Sequence, residues 1–180
     1  PGQLTDPQGK LNGWQKWGGD QNDRDLKFFD TMLASLKKEF AIDDKRIFAT
    51  GHSNGGGMTY LLWAERGEIF AALGPVAAAA GRNLSKLKAK PLIHAAGESD
   101  PLVRFAMQER TINAVRKINV CEDSGKLWAS TGALKGTIYP SSKGNPVVTL
   151  IHPGGHKYPD GVTELIVKFF KEVTAEKPAP

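Results

Sequence analysis

Sulfur chemistry is nearly absent from this chain. A single cysteine, Cys121, stands among 180 residues, which excludes an internal disulfide and any site built from several thiolates. Histidines are also few. The four of them, His52, His94, His152 and His156, show no metal-ligand spacing with one another or with Cys121, so neither a metal nor an organic cofactor is expected. No apolar run approaches the ~20 residues that a membrane-crossing helix needs. The net charge is +5, but Lys and Arg are dispersed, with local pairs such as Lys37-Lys38. Without a basic stripe interleaved with aromatics, a nucleic-acid partner is not expected. No internal repeat is visible.

What is present is ordinary for one globular domain: 40% hydrophobic and 24% charged residues, enough for one sizeable core. Twenty glycines and eleven prolines point to tight loops. The expected domain covers residues 1–173, with a tail or linker over 174–180 that ends in Lys-Pro-Ala-Pro. Residues 1–25 contain no strand-like run.

The patterning alternates between helix and strand. Leu26, Phe29, Leu33, Leu36 and Phe40 recur at spacings of three and four, one face of a helix, with Asp23 or Asp25 as its cap. A strand over 46–50 precedes a helix over 54–66, and Phe70–Leu73 reads as a short strand. A strand over 91–96 leads to a helix over 103–117 whose inner face is read as Val103, Met107 and Val115. Short strands follow at 127–129 and 137–139. The turn Ser141–Pro146 pairs 137–139 with a strand over 147–151 as a hairpin. A last helix carries Val162, Leu165, Ile166, Phe169, Phe170 and Val173 in register. Residues 77–90 give no firm reading.

Residues 51–55 are Gly-His-Ser-Asn-Gly, a G-x-S-x-G pattern between a strand-like and a helix-like run. This is the setting of a nucleophile elbow, in which a sharp strand-to-helix turn leaves the serine hydroxyl exposed above a sheet. Ser53 is the candidate nucleophile, and a turn serine is the bland alternative. In this arrangement an acid and then a histidine follow the serine along the chain. Asp100 lies in Gly97-Glu98-Ser99-Asp100-Pro101, just past the strand over 91–96, and is favoured as the acid over Glu98 and the more distant Asp123. It is also a candidate cap for the helix that follows. His156 lies in Gly154-Gly155-His156 after the strand over 147–151 and is favoured as the base over His152. His94 lies inside a strand and reads as core or wall.

These motifs together resemble the secreted esterases grouped as polyhydroxybutyrate depolymerases, feruloyl esterases and acetyl xylan esterases. The resemblance rests on Ile42-Asp43-Asp44-Lys45-Arg46-Ile47 leading into Ser53-Asn54-Gly55-Gly56, on Phe70-Ala71-Ala72 before Pro75-Val76, on Gly97 to Pro101, and on Gly154-Gly155-His156. It covers nearly the whole chain. It implies an α/β-hydrolase fold, a mostly parallel sheet with flanking helices, and Ser53, Asp100 and His156 as a catalytic triad acting on an ester, including a polymeric one. It also implies secretion or export to the periplasm. Two details depart from the group. Ala96-Gly97 stands where His-Gly is frequent, and several cysteines are usual there. The fold also places strands ahead of the nucleophile strand. Their lack here, together with a start at Pro1, leads us to expect the C-terminal portion of a longer protein, with the nucleophile strand left as an open edge.

Under this reading the backbone N–H of Asn54, at the start of a helix, donates to the oxyanion. The second donor is expected in the missing upstream loop. Trp14, Trp17 and His52 are candidate substrate contacts, Trp63 is expected in the core, and Trp128 lines the cleft or the hairpin. Two other readings remain: a serine peptidase of the prolyl-oligopeptidase type, and a non-catalytic polymer-binding homologue.

Overall fold

The computed structural model describes residues 12–175; the outer part of the expected tail, 176–180, and the first eleven residues lie outside it. Among the described residues, six strands form a single mixed sheet in the order β1-β2-β3-β6-β5-β4. They are β1 (Phe48–His52), β2 (Ala72–Val76), β3 (Leu92–Gly97), β4 (Lys126–Thr131), β5 (Leu134–Tyr139) and β6 (Val147–His152). The first three and β6 run parallel. β5 is antiparallel to both of its neighbours, so β4 again points with the rest. The expected hairpin is present, with Tyr139 opposite Val147.

Four α-helices accompany this sheet among the described residues: α1 (Arg24–Glu39), α2 (Asn54–Arg66), α3 (Phe105–Ile118) and α4 (Val162–Thr174). Alternate strand residues point to opposite faces, so Leu73, Leu92 and Val147 meet Leu61, Trp63, Ile112 and Val115 of α2 and α3. On the other face Ala72, Ile93 and Val148 meet Leu165, Ile166, Phe169 and Phe170 of α4. β2 and β3 are buried along their whole length, as parallel strands covered on both faces must be. No helix among the described residues is long and apolar enough to cross a membrane.

The sequence reading and the structure differ in instructive ways. The nucleophile strand starts two residues later than expected, because the Asp43 side chain accepts from Lys45 N–H at 2.9 Å and pairs with Arg46 at 2.6 Å, holding Asp44–Arg46 in a 3-10 turn. The acids at the start of α1 do not cap it. Buried Gln15 does so from a distance, its Oε1 accepting the N–H groups of Asp25 and Leu26 at 2.9 and 3.2 Å. On α3 the inner face is Gln108, Thr111, Ile112 and Val115, while Met107 is 53% exposed. Two of those four inner residues are polar, which hid the face from a hydrophobic periodicity. Trp128 stands on β4, where its ring packs edge-on against Phe169 and its Nε1 donates to Glu172. The weakly read 77–90 segment contains a 3-10 turn over Gly81–Lys86. Cys121 is half-buried and free, with its thiol pushed up from the ordinary range by burial.

Among the described residues β1 has one partner strand, β2. Beside its open edge Phe28, Met32 and Leu36 of α1, and Phe40 just past it, are between 38% and 59% exposed. Only Leu26 of the expected apolar face is fully buried. An apolar groove lies on each side of this edge. One, of about 510 Å³, is lined by Trp14, Phe28, Met32, Gly51 and Met58, and the other, of about 610 Å³, by Ile42, Phe48, Val167 and Phe170.

Candidate active site

Ser53 sits between β1 and α2 with φ 54° and ψ −117°, a backbone region that non-glycine residues rarely occupy. The strain is held from both sides. Ser53 N–H donates to Val76 O at 2.9 Å, extending the β1–β2 ladder, and Ser53 O accepts from Gly57 N–H at 2.9 Å, opening the helix. Close packing makes the turn possible. A Cβ on Gly51 would fall 2.5 Å from the backbone of Gly55, and one on Gly56 would fall 2.5 Å from the Ala78 methyl. A Cβ on Gly55 itself would meet nothing within 4 Å. Of the two glycines in the motif, space therefore demands only the first, and the second close contact belongs to Gly56.

Ser53 also occupies the N-cap position of α2, where serine commonly bonds the helix, yet its hydroxyl makes no cap bond. It lies 2.7 Å from His156 Nε2 instead. His156 Nδ1 lies 2.9 Å from Asp100 Oδ2. The structure thus brings Ser53, His156 and Asp100 into one hydrogen-bonded line from three loops at the C-terminal ends of β1, β6 and β3.

Asp100 is held by four donors. Oδ1 accepts from Leu102 N–H and Val103 N–H, both at 2.9 Å. Oδ2 accepts from His156 and from Gln108 Nε2 at 3.1 Å. Asp100 does not cap α3, whose N-cap position is Arg104 without a side-chain bond; one of its oxygens organises the turn ahead of the helix and the other faces His156. Burial works to raise its pKa, but the hydrogen bonds from His156 and from the backbone N–H groups of Val103 and Leu102 together hold the carboxyl below the usual range. The loops that carry Asp100 and His156 interlock through Glu98 N–H to His152 O at 2.9 Å and Ser99 N–H to Gly154 O at 3.1 Å. A Cβ on Gly97 would lie within contact distance of the Gly154 carbonyl.

The other candidates take separate places. His152 is buried, and its Nδ1 accepts Gly154 N–H at 3.1 Å, so its ring braces the loop that carries His156. Burial lowers its pKa. Glu98 and Asp123 are exposed and do not join the line. His52 packs its ring 4.9 Å from that of His156 and edge-on to Tyr158. Its Nε2 is buried without a hydrogen-bond partner, and its pKa is lowered by burial and by His156. Trp63 is core, with Nε1 donating to Lys88 O.

Asn54 opens α2, so its backbone N–H belongs to the first turn, whose donors have no partner within the helix. Its side chain clamps Trp14 twice, accepting Trp14 N–H at 2.7 Å and donating to Trp14 O at 3.3 Å. The two tryptophans do not form one wall. Trp14 faces the groove at the open edge of β1 and stacks near Phe28. Trp17 lines a different groove of about 310 Å³ with Asn54, Gly57 and Arg82, whose guanidinium lies 4.5 Å over the Trp17 ring. Sequence reasoning missed Gln108 and Gln15. Each is a glutamine whose role depends on a partner in a distant segment, which no local pattern signals. Among the described residues no cluster of three or more His, Cys, Asp or Glu stands ready for a metal ion.

Residues 11–88 match the family model of the prolyl oligopeptidase family. The chain is 29% identical over 157 residues to feruloyl esterase D of Neurospora crassa, covering 83% of this chain and 52% of that protein. It thus spans about half the length of that relative. Its fold is similar to that of a Bacillus cereus carboxylesterase (TM-score 0.61, 18% identity, 89% of this chain and 68% of the other). It is likewise similar to that of an acetyl xylan esterase from Aspergillus awamori (TM-score 0.61, 14% identity, 80% and 66%). The architecture is that of the α/β hydrolases, and the resemblance to the esterase group read from the motifs stands.

Proposed function

We propose that this chain carries the triad of a serine esterase, with Ser53 as nucleophile, His156 as general base and Asp100 as its orienting acid. The observation that carries the reading is the continuous line from Ser53 Oγ through His156 to Asp100, at 2.7 and 2.9 Å. His156 takes the Ser53 proton as the hydroxyl attacks the ester carbonyl, and Asp100 stabilises the imidazolium that forms. Asn54 N–H, backed by the α2 N-terminus, stabilises the oxyanion. The acyl-enzyme is then released by water. A second oxyanion donor lies in a segment paired to the open edge of β1, a reading supported by that edge and by the share of the relatives' length that the chain spans.

The substrate class proposed is a feruloyl, acetyl or short hydroxyacyl ester, including a polymeric one met outside the cell. Support comes from the named esterases to which the chain is similar. The Trp17–Arg82 wall beside Asn54 gives a flat face on which a phenolic or sugar group stacks. His52, against His156, borders the same reacting centre.

A panel of p-nitrophenyl esters and methyl hydroxycinnamates, with a peptide amide beside them, tests the assignment. Turnover of the esters alone is the expected result. The match of residues 11–88 keeps a peptidase reading in play, and cleavage of the amide at a comparable rate would establish it. A protein that resists fluorophosphonate labelling at Ser53 is a non-catalytic homologue.

A further inference from the structure

Behind Asp100 lies a run of polar side chains that the proposed mechanism does not use. Tyr60, His94 and Gln108 are all fully buried. Tyr60 Oη lies 2.7 Å from His94 Nδ1, His94 Nε2 lies 3.1 Å from Gln108 Oε1, and Gln108 Nε2 lies 3.1 Å from Asp100 Oδ2. Elements α2, β3 and α3 each contribute one member.

The proton positions follow from counting donors and acceptors. One end of the Gln108 amide faces two acceptors, Asp100 Oδ2 and Val103 O at 2.7 Å. That end must be the NH₂ group, and it spends both of its hydrogens there. The other end is then the carbonyl oxygen, so His94 Nε2 must carry a hydrogen and donate to it. His94 is neutral, since full burial lowers its pKa to about 4. Its Nδ1 is therefore bare and accepts from the Tyr60 hydroxyl. Every donor in the line points toward Asp100.

We infer that Gln108 is a positioning residue for Asp100, held in a single amide orientation by His94 and Tyr60, and that this buried line fixes the carboxylate oxygen on which His156 is aimed. The inference rests on the triad assigned above. The oxygen concerned is Oδ2, which receives both the Gln108 amide and the His156 ring. A carboxylate held only at Oδ1 can pivot about the bonds from Leu102 and Val103. The Gln108 bond closes off that pivot. Space filling alone calls for no such line, because apolar side chains of the same volume fill a core without needing partners.

The test uses two readouts: the rate at which a fluorophosphonate labels Ser53, and the downfield proton resonance of His156 Nδ1–H, assigned by its loss in His156→Gln. Gln108→Met keeps the length of the side chain and removes the donor. It should slow labelling about 10–100-fold, as losing a hydrogen bond to a charged group or a supporting partner of a site typically does, and it should move the resonance. Tyr60→Phe leaves every bond of Gln108 in place and should act in the same direction by a few-fold. It also carries the test if Gln108→Met does not fold. Thr111→Val, which removes a buried hydroxyl from the same helix that bonds to Met107 O and Ala80 N, should change neither readout. Folded Gln108→Met or Tyr60→Phe with an unaltered rate and resonance overturns the inference, as does an equal change in Thr111→Val. Failure of the unsubstituted chain to label rejects the esterase reading instead, and the resonance then decides the positioning role by itself.

Discussion

β1 has two unlike sides. Toward β2 it is fully paired, and the turn that follows it is bonded to Val76, packed against Ala78, and aimed at a histidine and a carboxylate whose polar atoms are satisfied. On its other side no strand pairs with it among the described residues, and apolar side chains of α1 stand in the open. Ser53, the proposed nucleophile, thus lies on a boundary between a finished region and an uncovered one. Aiming the serine and stabilising the charge it creates are separate tasks, built from different parts of the sheet. The residues proposed for the first are all among the described residues 12–175, whereas for the second Asn54 alone is proposed among them.

The largest effect should come from the finished side. Ser53→Ala and His156→Ala should each lower ester turnover by about 10⁴–10⁶ in kcat, the usual cost of losing a triad member, while His152→Ala keeps measurable turnover. Steady-state kinetics on p-nitrophenyl acetate gives the answer. If His152→Ala is the deader variant, the base is misassigned.

The uncovered side should matter next. A polypeptide that adds strands alongside β1 should turn over esters about 10²–10³-fold faster than residues 1–180 alone, the amount typically lost with one oxyanion donor. It should also stay monomeric where the shorter chain self-associates through its bare edge. Equal rates and equal solubility would remove the functional half of the contrast.

A pH titration of stability probes deeper on the finished side. His94 is neutral when buried, with a pKa lowered to about 4 from the ordinary 6.5. The unfolded chain takes up a proton at His94 before the folded one does. Stability present above pH 6.5 should therefore decline as pH falls from 6.5 to about 4, by about 3 kcal/mol at full extent. In His94→Gln this part of the slope should vanish in denaturant midpoints measured across that range. A slope that persists unchanged assigns the effect to other groups, with Asp100 contributing at lower pH.

The smallest and most direct comparison uses two neighbouring glycines. Gly56→Ala pushes a methyl into Ala78 and should cost about 1–3 kcal/mol, as overpacking does. Gly55→Ala faces the open side and should be neutral or slightly stabilising in this chain, since alanine favours a helix. In a polypeptide with β1 covered, that tolerance should disappear. Thermal unfolding of each variant beside its unsubstituted parent reads all of this.

The sequence made the local parts of the architecture legible. α2 falls on 54–66 because the elbow and the apolar spacing mark both of its ends, and the β5–β6 hairpin is announced by the turn at Ser141–Pro146. The three loops that meet at the site were legible as loops, since each has glycine or proline beside a short β-like run. What was not legible depends on distant partners. Gln15 caps a helix ten residues away, Gln108 hides on a face expected to be apolar, and Trp14 and Trp17 separate to opposite sides of the elbow although three residues apart. α1 was read as one buried face because its period is regular. Periodicity shows which residues want cover, but does not supply the cover.

The dual service of Asp100 ties the turn that leads into α3 to the readiness of the site. Leu102 N–H and Val103 N–H donate to one oxygen of the carboxylate while His156 uses the other. When that turn opens, the carboxylate that faces His156 is released at the same moment. Hydrogen exchange at those two amides would then count the molecules that are momentarily out of service. A ligand or substitution that quiets the exchange would raise the fraction of competent chains without touching any reacting atom.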